Sequence, residues 1–383
     1  MGYPSLFLVG LFTILMLFGS SFETKAQNDT ELRLKDLENQ VSELNSKLSD
    51  AQSTIKELLD DRNVDVIKNP RKCIRFEKNE INGLPGPHVI IEGCNLHVRD
   101  GSGDTSGNTN GRGNLIVGYN ELSEEENDSR EGSHNLVIGS EHGYSSYGGF
   151  VAGLNNTIRS NNSTISGGNR NRAGGAVSSI CGGRVNIASG FGSSVSGGLM
   201  NQASGQDSSV SGGEENVASG QSSSSSGGAR NVASNSVSYV AGGIDNIASG
   251  LNSVVVGGVL NEATVLTDSI FGGRNNTASG GESTICGGNS NEATGLASTA
   301  VGGIGANPSG AFSTVSGGRG NIASGASASV SGGTVNEASG PDSTVCGGEA
   351  NQAQGNFSVV SGGDTRTAPG IHDWVAGSSF EDF

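Results

Sequence analysis

Ser193-Ser194-Val195-Ser196-Gly197-Gly198-Leu199-Met200-Asn201-Gln202-Ala203-Ser204-Gly205-Gln206-Asp207 is one unit of a repeat. Its pattern is S-x-V-S-G-G-x-x-N-x-A-S-G-x-x. The Gly-Gly pair stands at Gly167-Gly168, Gly182-Gly183 and Gly197-Gly198. It returns every 15 residues to Gly362-Gly363, giving 14 pairs without a slip. Part-matched units flank the array at Ala152-Gly153 and Ala376-Gly377. A short, fixed period without insertions predicts a solenoid. Such a fold buries its core by stacking coils and presents ladder-like surfaces.

The columns of the repeat assign inside and outside. Two residues before Gly-Gly runs Ile165, Ile180, Val195, Val210 and so on to Val375, interrupted by Ser225 and Ala300. Six residues after the first Gly stands Ala in 13 of 14 units, with Pro308 the exception. These columns predict a narrow core of Val facing Ala. Each coil would carry two strands of about five residues with period-two alternation. Both glycines of each pair are kept, and a third Gly follows in 12 of 14 units, with Asn235 and Val265 departing. Columns of Gly predict positive φ or close backbone approach. Asn recurs in 12 of 14 units, as at Asn171, Asn186 and Asn201. Stacked Asn side chains bond to one another and to turn backbone. A ladder of ligands is the alternative. The two residues after Gly-Gly vary freely and read as a loop.

The residue directly before Gly-Gly points away from the Val column by strand alternation. It includes Ser196, Ser211, Ala241, Val256, Phe271, Cys286 and Val301, and none of its 15 members is charged. An outward stripe without charge is expected to be covered. Ser196, Ser211, Val256, Phe271, Cys286 and Val301 are therefore the candidate contact with sister chains. A flat neutral surface without a partner is the other reading.

Composition narrows the classes. Apolar residues make up 33% of the 383 and Gly alone contributes 64, which is lean for a globular core. No G-X-Y period marks collagen. Disorder and a Gly-dense solenoid remain, and the strict register favours the solenoid. A net charge of −16 argues against a nucleic-acid partner. The acidic run Glu124-Glu125-Glu126-Asn127-Asp128 reads as a solvated loop. Of five cysteines, Cys73 and Cys94 flank a short non-repeat region as a candidate disulfide, which an exported protein permits. Cys181, Cys286 and Cys346 fall in the uncharged stripe as small apolar substitutes. No C-x-x-C spacing, nucleophile–base pair, paired catalytic carboxylates, phosphate loop or G-G-x-G-x-D series is present. No enzyme activity, cofactor or metal site is expected.

The N-terminal region divides into segments. Residues 1–26 read as a secretory signal, with an apolar stretch from Leu6 to Phe18 and a cleavage site at Thr24-Lys25-Ala26. An uncleaved anchor is the alternative, and the only expected membrane attachment. Residues 28–63 read as a coiled-coil stalk with a positions Leu34, Val41, Leu48 and Ile55 and d positions Leu37, Leu44, Ala51 and Leu58. All are apolar over four heptads, so these residues are the candidate oligomerisation seam. Residues 64–110 form a junction and N-terminal cap, with strands expected over Ile67–Phe76 and His88–Val98 around a turn at Leu84-Pro85-Gly86-Pro87. Residues 111–377 form the solenoid and 378–383 a tail. The related segments Gly113–Gly118 and His134–Gly139 read as first coils, whose hydrophobic strands are expected to seal its first end, since an open end exposes strand edges.

The repeat resembles the head repeat of YadA-like trimeric autotransporter adhesins, whose pattern is approximately S-V-A-I-G-x-x-A-x-A-x-G. Ser194-Val195-Ser196-Gly197-Gly198 and Ala203-Ser204-Gly205 match it, with Gly in place of the family's Ile and one residue more per coil. The resemblance covers roughly residues 111–377. It implies a left-handed parallel β-roll, three chains side by side, and adhesion. That family places its stalk after the head and ends in a membrane barrel, whereas this sequence places the stalk first and runs to Phe383. Self-translocation and outer-membrane anchoring are therefore not carried over. The expected function is that of a secreted or cell-surface, oligomeric structural or adhesive protein, a homotrimer binding a surface receptor or matrix. An ice- or crystal-surface binder is the alternative, because residues three before Gly-Gly are mostly Ser or Thr, with interruptions at Tyr239, Val254, Val359 and Trp374. A carbohydrate-active β-helix enzyme is the third reading; regular coils without side loops build no cleft.

Overall fold

The computed structural model describes residues 5–60, 73–123 and 129–377, with side chains omitted for 5–26 and 57–60. The side chains on which the signal reading of residues 1–26 rests, the junction over 61–72, the acidic run Glu124–Asp128 and the tail 378–383 lie outside the residues and side chains so described. Two units are compact, Met1–His97 and Val98–Phe383.

The first unit contains one helix and one hairpin. Helix α1 spans Ser5–Asp60 and starts upstream of the heptad segment. Strands β1 (Ile74–Glu77) and β2 (His88–Ile91) pair antiparallel, Ile74 opposite Ile91. Strand β2 is shorter than the sequence suggests: it stops at Ile91 rather than Val98, because Glu92-Gly93-Cys94 bends away, while residues 67–72 of the other expected strand lie outside the described residues. Cys73 and Cys94 close the open end of this hairpin as a disulfide, with Cα atoms 5.7 Å apart.

The second unit is a parallel β-solenoid of about 16 turns. Strands β3 (Leu115–Val117) and β4 (Leu136–Ser140) open it and pair in parallel. From Thr164–Ile165 onward the first strand of each coil pairs with that of the next at a 15-residue step. Ser194–Val195 pairs with Ser209–Val210 of the next coil, and Gln202–Ala203 with Val217–Ala218. At about 4.8 Å per coil this unit runs on the order of 75 Å.

Three features correct the sequence reading of the coil. First, the strands are two residues long rather than about five, and a third ladder appears. The residue after Gly-Gly forms a parallel bridge to its equivalent, Leu199 to Glu214 and onward. That residue lies in a rung of the fold and not in a free loop. Second, positive φ angles are not confined to the glycines. In each coil the second residue after Gly-Gly and the residue before the invariant-looking Ser turn left-handed, as Met200 (φ 54°) and Asp207 (φ 53°) do. Val177, Val185, Val237 and Val335 occupy such positions, where a β-branched side chain is strained. Third, of the two demands expected of the Gly columns, the third Gly of each unit meets close backbone approach and not positive φ. Its reason is crowding: a Cβ on Gly205 would strike the carbonyl oxygen of Gly220 in the next coil. The second Gly of each pair meets both demands. Gly198 has φ 88°, and a Cβ there would strike the carbonyl oxygen of Gly213.

The core is one side chain wide. Val195 and Ala203 are buried, as are their equivalents along the array. Two polar columns are buried with them. Asn201 donates from Nδ2 to the carbonyl oxygens of Gly197 (2.9 Å) and Gly213 (2.9 Å). Its Oδ1 accepts from the backbone N–H of Asn216 (3.0 Å), so each Asn positions the next. The expected ladder of bonds is present. Ser193, which the alternation had left unassigned, is also fully buried; its Oγ donates to the carbonyl oxygen of Gly190 (2.8 Å) and closes the turn. One coil departs from the pattern. Ala306 ends the Asn ladder there, and the second ladder is interrupted before Asn307–Pro308, where Pro308 brings no N–H.

The first end is less sealed than expected. Leu115, Ile116 and Val117 remain exposed, and the buried core starts at Val137 in the following coil. The reason is positional: β3 has a partner strand on one side only within this unit.

Candidate interaction surfaces

The informative features of the described residues are faces. Each coil turns two outward columns to solvent on its first strand. One is the residue before Gly-Gly, with Ser196 and Ser211 exposed. The other is the residue three before Gly-Gly, half-buried, as Ser194 is. The candidates Val256, Phe271, Cys286 and Val301 all lie on the outer side of this face, Phe271 at 56% exposure. The structure thus brings the six candidate contact residues onto one face. Neither column holds a charged residue. Along it, side chains bond sideways between coils: Ser209 Oγ to Ser224 Oγ (3.0 Å), Tyr239 Oη with Ser226 Oγ (3.0 Å), and Trp374 Nε1 to Ser361 Oγ (2.8 Å).

The first Gly of each pair borders this face. A Cβ at Gly197, Gly242 or Gly287 would meet no atom within 4 Å, and none of the three is left-handed. At these three positions neither crowding nor a left-handed backbone requires Gly, whereas Gly212 (φ 157°), Gly227 (φ 159°), Gly347 (φ 156°) and Gly362 (φ 144°) hold a backbone that other residues rarely adopt. Sequence reasoning grouped both glycines as turn residues and missed this difference, which only the placement of neighbouring coils reveals.

The second strands build a different face. Their outward residues are Arg172 near one end, then Ile187, Gln202, Val217, Val232 and Ile247, then Glu262, Thr277 and Glu292. Arg159 lies beside Arg172, and burial together with Arg159 lowers the Arg172 pKa. Elsewhere a surface pair is well formed: Arg230 Nε and Nη2 donate to the Asp245 carboxylate at 2.7 and 2.9 Å in the next coil. This contact raises the Arg230 pKa and lowers that of Asp245.

On α1 the proposed seam is unpartnered within the chain. Leu34, Leu37, Val41, Leu44, Leu48 and Ile55 are all exposed, Leu44 at 64%. Leu58 lies outside the described side chains. Among the described residues no helix is long and apolar enough to cross a membrane, and no group of three or more His, Cys, Asp and Glu is placed to hold a metal. Comparison with known families finds no model that matches this chain, and comparison with curated proteins finds no match.

Proposed function

We propose that the chain is an exported, oligomeric structural or adhesive protein whose solenoid is carried on a coiled coil. The observation that carries this reading is the charge-free face along the whole array. Two outward columns lack charge, and beside them runs a glycine column at which, as at Gly197, Gly242 and Gly287, an added Cβ would meet no atom of the chain. A bare backbone strip suits close approach by a neighbouring surface. The exposed leucine and valine seam on α1 supports the same conclusion, because eight apolar a and d positions are costly to leave in water. A parallel trimer would bring three copies of the charge-free face around one axis, as in the heads of YadA-like adhesins, with a left-handed β-roll in each chain.

The test is the mass of the full chain in solution. Leu44→Asp puts a charge in the seam and should reduce the assembly to monomers. Ser196→Glu with Ser211→Glu should separate the heads while each solenoid keeps its strand signal by circular dichroism. Parent mass for Leu44→Asp, or unchanged head packing in the double variant, would overturn the reading.

A second reading rests on the hydroxyl pairs of the same face. Thr164 and Ser166, Ser194 and Ser196, Ser209 and Ser211 stack in register at the coil spacing and form two ranks suited to a crystalline lattice. Thermal hysteresis in a solution of the full chain would support it, and none at millimolar concentration would exclude it.

A further inference from the structure

The second-strand face has a direction that the first-strand face lacks. Its 11-stranded sheet carries Arg172 near one end and Glu262 and Glu292 towards the other. Between them stand Val217, Val232 and Ile247, half-buried but outward. The flanking outward column here is Ser204, Ser219, Ser234 and Ser249, small and uncharged. Arg172, Glu262 and Glu292 make no ion pair among the described residues. The arrangement is symmetric about the middle: Arg172 and Glu292 each lie 60 residues, four coils, from Val232.

We infer that this face pairs with the same face of a second copy of the chain, antiparallel, about a two-fold axis near Val217 and Val232. A parallel pairing would set Arg172 on Arg172 and Glu292 on Glu292, which like-charge repulsion opposes. The antiparallel pairing sets Arg172 of each copy against the Glu262–Glu292 end of the other and apolar centre on apolar centre. Because the contact is isologous, every favourable pair occurs twice. The strip is narrow, one strand pair wide and on the order of 40 Å long. Its area belongs to the weak, transient class below about 1,200 Å². Such a contact acts through many copies at once. It also leaves the charge-free face free for the parallel assembly. Two surfaces that each carry the protein would present their solenoids to one another head-on, which is the antiparallel geometry. The partner so named, a second copy on an opposing surface, rests on the adhesive reading; the pairing itself does not.

The experiment uses microspheres coated with full-length chain, scored for clumping by light scattering. Wild-type beads should clump at about 50 mM salt and disperse at about 500 mM, since the ends are ionic. Beads carrying Arg172→Glu should fail to clump with themselves, as should beads carrying Glu262→Arg with Glu292→Arg. Mixing the two kinds should restore clumping, because the reversed ends are again complementary. These exposed substitutions should leave the melting temperature and the mass of the underlying oligomer unchanged, which separates this outcome from a failure of the coiled-coil seam. Wild-type beads that stay dispersed, Arg172→Glu beads that clump normally, or no rescue on mixing would each overturn the pairing.

Discussion

The Val column is the residue-scale feature that decides the core, and Ser225 is its polar defect. Ser225 sits between Val210 and Val240 in the ladder, is fully buried, and its Oγ has no hydrogen-bond partner. A buried hydroxyl without a partner costs roughly 1–3 kcal/mol. Ser225→Val should therefore raise stability by about 1–2 kcal/mol, read as a higher urea midpoint with an unchanged slope. A loss would mean that the coil leaves no room for two methyl groups. The same column shows what was legible in the sequence. Val and Ala announce themselves as inside because they are apolar at fixed spacing. Ser193 does not, since a small polar side chain carries no apolar signal, and its place inside follows from its bond to Gly190. The left-handed positions were hidden for a different reason. Met200, Glu215 and Arg230 share a backbone conformation but no chemistry, so no residue type marks them. One substitution illustrates the local accommodation. Val265 replaces the crowded Gly, and Asp268 in the same turn replaces Ser. Its carboxylate accepts from Val265 N–H (2.9 Å), Ser283 N–H (3.0 Å) and Ser283 Oγ (2.7 Å).

At the scale of elements, the loop that leads into the solenoid is held by carboxylates acting as turn caps. Asp100 Oδ1 accepts from Ser102 N–H (2.8 Å) and Ser102 Oγ (2.6 Å), and Asp104 Oδ1 accepts from Ser106 N–H (3.0 Å). The Ser102 bonds hold the Asp100 carboxyl below the ordinary carboxylate value, and the Ser106 bonds do the same for Asp104. A depressed folded pKa favours the charged form, so its contribution is present above the unfolded value of about 3.9. It is lost as pH falls through the lower folded value. The Ser102 amide resonance should thus hold steady down to about pH 4 and move below it, whereas Asp100→Asn should remove that transition. A midpoint at or above pH 4 in the wild type would contradict the capping role. The sequence identified this stretch only as a Gly, Ser, Thr and Asn loop. The capping depends on backbone amides that no composition displays. By contrast α1 was legible over its heptads, because an apolar period over four heptads admits few other arrangements; its extension to Ser5 was not, since the upstream apolar run has no heptad phase.

For the whole molecule, the fixed period is the strongest constraint, because three separate systems share it. The two strand ladders, the bridge at Leu199 and its equivalents, and the Asn bonds all join residue i to residue i+15. A coil therefore has no contacts that its neighbours could not supply to each other if it were removed. Deleting Gly317–Ser331, one complete coil, joins Ser316 to Gly332 and restores the pattern S-G-G at the seam. The expected product is a folded solenoid one coil shorter, melting cooperatively within several degrees of the parent, at about 2–4 °C per kcal/mol lost. Deleting only Gly317–Ala323 removes seven residues and shifts the following coils by half a turn. Val330, Val345 and Val360 would then move out of line with Val315, and the Asn336 N–H would lose its acceptor, because Asn321 is among the residues removed. That variant should lose the strand signal from the coils beyond the deletion and become sensitive to protease there. The longer deletion being the milder one is the discriminating result. If the seven-residue deletion were tolerated as well as the 15-residue one, the coils would be held by something other than the register of their ladders.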